Sequence, residues 1–365
     1  MLKIASQVQQ AKGKNAKFDV EIASVATAVP EHKICQAEIA KRARKIFPHL
    51  PRLESLYGNA GIDNRYLCEP PDWYHQRHGW EARTAIFQRH ALDLLEEAAL
   101  KTTEAASIKL DDIGALIVNT ITGLAIPSLD AKLMNRLRLR SSVERLPIFG
   151  LGCGGGVGGL ARAARYAQAM PVGAHVLFLT IDLCSLCLRT ADPSMAMFVA
   201  AALFGDGAAE VVLRKTDGTG SSAGRGTVLA VGDHFSPNTE TIMGWDIKED
   251  GFGVVLSPKL PELIRAEFMP ALNGFLDANR MDLGEFSGFI MHPGGAKILK
   301  TIQELLQLSR EDLAYSWDVL RDFGNMSSPT ALFGLARAVH AGARGPHLLT
   351  AFGPGFSAYF LAIDL

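Results

Sequence analysis

The stretch FGLGCGGGVGGLARA, residues 149–163, decides how this chain is read. The apolar segment RLPIFGLG (145–152) predicts a strand, and GVGGLARAARYAQAM (156–170) predicts a helix. Cys153 falls between the two, surrounded by glycines. A thiol at a helix N-terminus feels the positive end of the helix dipole, which lowers its pKa and favours the nucleophilic thiolate. Glycines let a substrate carbonyl and a second backbone segment come close. Taken alone, Cys153 has a plainer account as a small buried cysteine in a tight strand-to-helix turn.

Outward from this point, short apolar runs alternate with helical patterns, the signature of an α/β protein with a mostly parallel sheet. IGALIVNT (Ile113–Thr120) reads as a strand, SLDAKLMNRL (128–137) as a helix begun by Ser128, and AHVLFLTID (174–182) as a strand. The plan recurs downstream: a helix over 260–278, strand FSGFIMH (286–292), helices AKILKTIQELLQL (296–308) and SSPTALFGLARAVH (327–340), and strand HLLTAFG (347–353). A Gly/Ser-rich loop, RKTDGTGSSAGRG (214–226), lies between. Gly-Leu-Ala-Arg-Ala occurs at 159–163 and again at 334–338, each time on a predicted helix followed by a strand. Two related halves, 19–220 and 221–365, follow an N-terminal arm over 1–18 that has no continuous apolar stretch.

A chain of 365 residues, 48% apolar, can bury a large core. A net charge of -1 gives no field to gather nucleic acid or an anionic membrane, so an anionic substrate must be held by local charge. Five cysteines, Cys35, Cys68, Cys153, Cys184 and Cys187, have no framework spacing, which points to reduced thiols and a cytoplasmic protein. No run is long enough to span a bilayer.

Two further residues bear on Cys153. FIMHPGGAKIL (289–299) puts His292 at the C-terminal edge of a predicted strand, before a Pro-Gly-Gly turn, where α/β proteins expose functional groups. DFGNMSSPTALFGL (322–335) puts Asn325 just after Gly324 and before a helix. Singly, His292 reads as a core histidine and Asn325 as a helix cap. Together with Cys153 they fit one reaction: cysteine attacks a thioester, histidine stabilises the thiolate, and histidine and asparagine donate hydrogen bonds to an oxygen that becomes an enolate.

LGCGGG (151–156), ALFGDGAAEVVL (202–213), MHPGGAKIL (291–299), FGNMSSPTALF (323–333) and AFGPGF (351–356), in this order, resemble the type III polyketide synthases, the chalcone synthase superfamily. The resemblance implies a thiolase fold, with two βαβ-type halves packed in five layers, α/β/α/β/α. It places Cys153, His292 and Asn325 at the catalytic triad positions and Phe204 at the gatekeeper position. At the second aromatic position familiar from plant members GFGVVLSP (251–258) offers Val254, with Phe252 close by. It further implies that Thr122, Ile126, Cys184 and Cys187 lie at the cavity and that Gly294, Gly295, Gly353 and Pro354 line the coenzyme A tunnel or supply oxyanion backbone. Acyl-CoA and malonyl-CoA are the implied substrates, with no cofactor and no metal. The segment around Ile126 and Pro127 implies a homodimer.

Other motifs carry less. GDGAAE (205–210) and GCGGGVGG (152–159) lack the P-loop lysine, and the second lacks the downstream acid of a dinucleotide fingerprint. Cys184 and Cys187 form a Cys-x-x-Cys pair without a second pair or nearby histidine, which argues against zinc. Lys41, Arg42, Arg44, Lys45 and Arg52 could meet coenzyme A phosphates or form a solvated helix face. PDWYHQRHGWEARTAIFQRHALDL (71–94) predicts a loop leading into an amphipathic helix. Within the resembled family, TGLAIPSLDAKLMNRL (122–137) and residues 241–258 look most like bacterial alkylresorcinol and alkylpyrone synthases, implying a long-chain acyl starter. The alternatives are a tetrahydroxynaphthalene- or phloroglucinol-type synthase, the initiating ketoacyl synthase of fatty acid synthesis, which takes malonate on a carrier protein, and a catalytically silent binding partner.

Overall fold

The computed structural model describes residues 18–46, 53–189, 192, 194–218 and 224–365. The expected arm, apart from Phe18, lies outside the described residues, as do Arg52 and the middle of the Gly/Ser-rich loop. Thirteen strands occur in the described residues: β1 (Val20–Ala28), β2 (His32–Cys35), β3 (Asn64–Leu67), β4 (Ile113–Thr120), β5 (Glu144–Phe149), β6 (His175–Leu183), β7 (Asp206–Lys215), β8 (Gly226–Phe235), β9 (Met243–Lys248), β10 (Gly251–Leu256), β11 (Gly288–Met291), β12 (Pro346–Gly353) and β13 (Ser357–Asp364).

Nine of them form one mixed sheet in the order β11-β12-β13-β8-β1-β7-β6-β4-β5. Within it the same run occurs twice. In the first half β4 is parallel to β6, β6 antiparallel to β7 and β7 antiparallel to β1. In the second half β11 is parallel to β12, β12 antiparallel to β13 and β13 antiparallel to β8. The halves meet where the first strand of each, β1 and β8, pairs over Glu21↔Thr227 and Ile22↔Gly226. The mostly parallel sheet expected from the alternation is thus parallel only where helices cross over. β7 and β13 follow their neighbours in reverse sense, because an apolar run reports burial and not direction.

Helices Gly155–Ala169 and Pro329–His340 touch each other and strands of both halves, forming the central layer. Helix Trp80–Ala105 covers β1, β6 and β7 on one outer face, and helices Leu260–Asn279 and Ala296–Leu306 cover the other. One apolar core surrounds the two central helices on both sides, and one lies beneath each outer helical layer. This is the thiolase-like architecture. β6 shows why its sequence suits it: HVLFLTIDL is buried along nearly its whole length, as a strand covered on both faces must be.

The repeated pentapeptide sits on the two central helices, each of which leads into the second strand of a parallel pair, β6 or β12. A Cβ on Gly159 would lie 2.5 Å from the Phe178 ring, and one on Gly334 would lie 2.7 Å from Ile290. Both helices therefore rest on a strand side chain through a glycine.

Candidate active site

Cys153 occupies a single 3-10 turn, Gly152–Gly154, between β5 and helix Gly155–Ala169. Gly152 has φ 54° and faces Pro354, whose Cδ a Cβ would meet at 2.3 Å. One turn on, the Ser328 carbonyl oxygen lies 2.1 Å from where a Cβ on Gly156 would stand. The glycines around the cysteine thus admit two backbone segments of the second half against it.

His292 follows β11 and extends its pairing, donating its backbone N–H to Thr350 O at 2.8 Å. The ring is 4% exposed, and neither Nδ1 nor Nε2 has a hydrogen-bond partner. Burial lowers its pKa from 6.5 to about 4, so the imidazole is neutral, with one nitrogen able to donate and the other to accept.

Asn325 follows Gly324, whose φ of 71° turns the chain out of helix Ala314–Phe323. Its backbone forms a short parallel bridge with Phe204, donating to Leu203 O at 2.8 Å and accepting from Gly205 N at 3.0 Å. The side chain is fixed at both ends: Nδ2 donates to Gly294 O at 3.2 Å, and Oδ1 accepts from Ser327 N at 2.8 Å.

One cavity brings these residues together. Cys153, His292 and Asn325 line it with Phe204, Trp245, Val254, Gly294 and Pro354, around about 810 Å³ free of protein atoms, its mouth included. That size falls in the range of small-molecule sites. A separate apolar cavity of about 650 Å³, beside Tyr57 and Arg65, contains none of the three.

The thiol is not poised as its position at a helix start suggests. Burial pushes Cys153 up to about 11, the Asp182 carboxylate adds to the rise, and hydrogen bonding from Ser327 opposes it. Desolvation of the anion outweighs the helix end. No hydrogen bond joins the thiol to His292, so the pair rests as a neutral thiol and a neutral imidazole.

Asp182, at the end of β6, is fully buried. It accepts from Ile121 N at 2.8 Å, from the Thr120 and Thr122 hydroxyls at 3.2 Å each, from Ser328 N at 3.0 Å and from the Ser328 hydroxyl. These donors replace the water the carboxylate has lost, and burial still raises its pKa. Asp182 thereby ties β4, β6 and the turn after Asn325 into one block. Neither it nor Trp245 is marked by any sequence motif; the signal available for Asp182 was an acid inside an otherwise apolar strand.

The remaining expected residues divide. Val254 and Phe204 are on the cavity wall, whereas Thr122, Cys184 and Cys187 are not among its lining residues. The Thr122 hydroxyl is spent on Asp182 and on Leu183 N, which donates to it at 2.8 Å. Cys184 and Cys187 sit in one buried 3-10 turn, where burial raises both thiols. Ile126, joined to Pro127 by a cis peptide bond, is 98% exposed. Gly295 begins helix Ala296–Leu306 beside the lining Gly294, and Gly353 packs against the Leu151 carbonyl next to Pro354. In the basic cluster, Arg42 is paired with Glu38 and Asp72, while Lys41 and Lys45 are exposed. Among the described residues no group of three or more His, Cys, Asp or Glu is placed to hold a metal ion. No helix among them is long and apolar enough to cross a membrane.

Residues 63–218 match the N-terminal domain of the chalcone and stilbene synthases, and residues 228–361 match their C-terminal domain. The chain belongs to that family. It is a type III polyketide synthase, an acyltransferase of the decarboxylating, carbon–carbon condensing kind. The synthase is 37% identical over 349 residues to 1,3,6,8-tetrahydroxynaphthalene synthase of Streptomyces peucetius subsp. caesius, covering 94% of this chain and 92% of that one. It is 32% identical to phloroglucinol synthase of Pseudomonas fluorescens over 336 residues, 90% of this chain and 94% of that one. The crystal structure of 1,3,6,8-tetrahydroxynaphthalene synthase from Streptomyces coelicolor superposes with a TM-score of 0.88 at 28% identity, covering 94% of this synthase and 99% of that chain.

Proposed function

We propose that this synthase loads an acyl group from coenzyme A onto Cys153 and lengthens it with malonyl-CoA, using His292 and Asn325 as the groups that stabilise the enolate. The supporting observation is that one cavity holds the thiol, an imidazole with both nitrogens uncommitted and a carboxamide locked in orientation.

In the loading step the neutral imidazole takes the thiol proton as Sγ attacks the thioester carbonyl. The tetrahedral intermediate expels coenzyme A thiolate, which recovers that proton from the imidazolium. With malonyl-CoA bound, the bond to its carboxylate breaks, carbon dioxide leaves, and the electron pair becomes an enolate on the thioester oxygen. A neutral His292 N–H and the Asn325 Nδ2–H donate to that oxygen, where the charge develops. The enolate carbon then attacks the acyl-Cys153 carbonyl and releases the thiolate, returning a chain longer by two carbons to coenzyme A. Each step balances with these groups alone, so the reaction as proposed draws on no cofactor or metal.

For the product we favour an aromatic polyketide of the tetrahydroxynaphthalene or phloroglucinol kind, primed by a short starter. The named relatives support this, as does the withdrawal of Thr122, Cys184 and Cys187 from the cavity wall. A long-chain starter leading to an alkylresorcinol or alkylpyrone is the second reading, supported by the small Val254 side chain on the wall. We further propose a homodimer, with the two halves 19–220 and 221–365 each contributing to every site. Phe149 on the edge strand β5, and Leu124 and Ile126 in the segment between β4 and helix Leu129–Arg136, are exposed apolar side chains, which suits a face that a second copy covers. All five cysteines are free, which suits a cytoplasmic setting.

The test is incubation with malonyl-CoA, alone and with acyl-CoA starters, without carrier protein, followed by mass spectrometry. Condensation products are expected. Their absence, with activity appearing only on carrier-bound malonate, would transfer the chain to the ketoacyl synthase reading.

A further inference from the structure

The second cavity, about 650 Å³ with its mouth, is enclosed by β2, β3, helix Gln36–Ile46 and helix Met195–Leu203. None of its described lining residues belongs to the catalytic cavity. Ile34, Ile39, Leu67, Leu188 and Met197 give it apolar walls. Arg65, from β3, is the exception, and it is 1% exposed.

Only part of the Arg65 guanidinium is used by the fold. Nη1 donates to Ala201 O at 2.7 Å and to Phe204 O at 2.9 Å, at the C-terminal end of helix Met195–Leu203, where a cation is favoured. Nε and Nη2 have no hydrogen-bond partner. These two nitrogens share one edge of the planar group, and N–H bonds on that edge point the same way, a spacing that matches the two oxygens of a carboxylate.

No acid of the protein takes this edge. The described residues that line the cavity include no Asp or Glu, and the other two arginines there are already paired, Arg42 with Glu38 and Asp72, Arg189 with Asp192 and Asp250. Asp206, the buried carboxylate whose charge reaches Arg65, accepts from Cys68 N, Ser185 N and the Ser185 hydroxyl instead. Burial lowers Arg65 to about 10, so it stays cationic at neutral pH. A buried charge without a counter-ion is costly, and a monoanion with an apolar body offsets that cost while matching the walls. A phosphate needs more donors than one guanidinium edge supplies.

We propose that this cavity is a binding site for a small aliphatic monocarboxylate such as hexanoate, its carboxylate on the Nε–Nη2 edge of Arg65 and its chain against Ile39, Leu67 and Met197. Arg65 also connects the site to the catalytic one. The carbonyl it holds belongs to Phe204, whose backbone bridges to Asn325, and a Cβ on Gly324 would lie 2.9 Å from the Arg65 stem. A carboxylate that draws the guanidinium toward the cavity loosens its grip on the Phe204 carbonyl, and with it the bridge that carries Asn325. The acid therefore lowers kcat from a separate site. That effect rests on the condensing reaction proposed above, whereas the binding does not.

The experiment titrates hexanoate into the synthase by calorimetry, with hexanol as the neutral counterpart, and repeats the titration after alkylation of Cys153. One hexanoate per chain is expected to bind, hexanol about tenfold or more weaker, and alkylation to leave the affinity unchanged. Arg65→Met removes the charge, and Ala201→Leu fills the cavity while keeping the guanidinium; both are expected to weaken hexanoate by about tenfold or more. In turnover, hexanoate is expected to lower kcat and leave the KM for malonyl-CoA unchanged. Absence of binding, equal binding of hexanol, or full affinity in Ala201→Leu overturns the proposal. So does loss of binding on alkylation, or a rise in KM alone, since either places the acid beside Cys153. A wild type that condenses no starter overturns instead the proposed function, and the titrations still decide the site.

Discussion

Asp182 holds Ser328 twice, accepting from its backbone N–H at 3.0 Å and also from its hydroxyl, although the two residues are 146 positions apart. Ser328 begins the helix behind Asn325, so this clasp fixes the carboxamide relative to β6. In Asp182→Asn one oxygen becomes an NH2 group that faces donors and leaves buried N–H or O–H groups unpaired. A loss of about 2–3 kcal/mol in unfolding free energy is expected, along with a fall in kcat larger than any change in KM. An unchanged denaturation midpoint would show that the clasp contributes nothing.

Because burial places the Cys153 thiol at about 11, the free enzyme holds little thiolate at neutral pH. Alkylation of Cys153 by iodoacetamide, followed by peptide mass spectrometry with the exposed Cys35 as reference, should accelerate by about tenfold per pH unit from about pH 7 to pH 10. A rate already maximal at neutral pH would mean a preformed thiolate–imidazolium pair.

His292 makes stability depend on acid. Its folded pKa of about 4 lies below the ordinary 6.5, so the unfolded chain takes up a proton as pH falls through about 6.5 while the folded chain resists until about 4. Stability is therefore full above that window and falls across it, by roughly 3 kcal/mol. In His292→Gln this part of the slope should vanish from the pH dependence of urea unfolding.

Gly156→Ala puts a methyl group where the Ser328 carbonyl oxygen is 2.1 Å away, and backbone cannot rotate aside as a side chain does. The expected cost is about 3 kcal/mol, with loss of condensation from displacement of the segment carrying Asn325. Wild-type melting and activity in this variant would contradict the close approach.

Ile126→Asp tests the proposed dimer. A carboxylate in place of a side chain that is 98% exposed costs the monomer little, whereas at the centre of a covered apolar face it is unpaired. Sedimentation velocity should show a dimer for wild type and a shift toward monomer for the variant.

Much of this was legible in the chain itself, for physical reasons. Cys153, His292 and Asn325 each stand where a strand or helix gives way to a glycine turn, and local sequence displays such ends. β4 and helix Gly155–Ala169 follow from unbroken patterns of apolar residues. Strand direction, as at β7, does not follow, nor do contacts made across strands. Val254 was visible as a missing aromatic, but its partner Trp245 depends on hairpin register, which residue order alone does not state. Thr122 and Asp182 were hidden for a related reason: a polar residue in a strand, or just beyond its end, does not reveal whether it faces a ligand or another segment's hydrogen-bonding groups. The helix start at Cys153 is visible in residue order, but the depth of burial that outweighs it belongs to the tertiary structure.

The hairpin β9–β10 shares no hydrogen-bonded ladder with either repeated half, yet it supplies Met243, Gly244, Trp245, Val254, Val255 and Leu256 to the wall around the reacting groups. Inheritance can therefore rewrite this loop while the machinery of bond formation stays untouched. Chemical novelty in such a protein is cheap to explore, because the parts that choose the molecule are mechanically separate from the parts that make it.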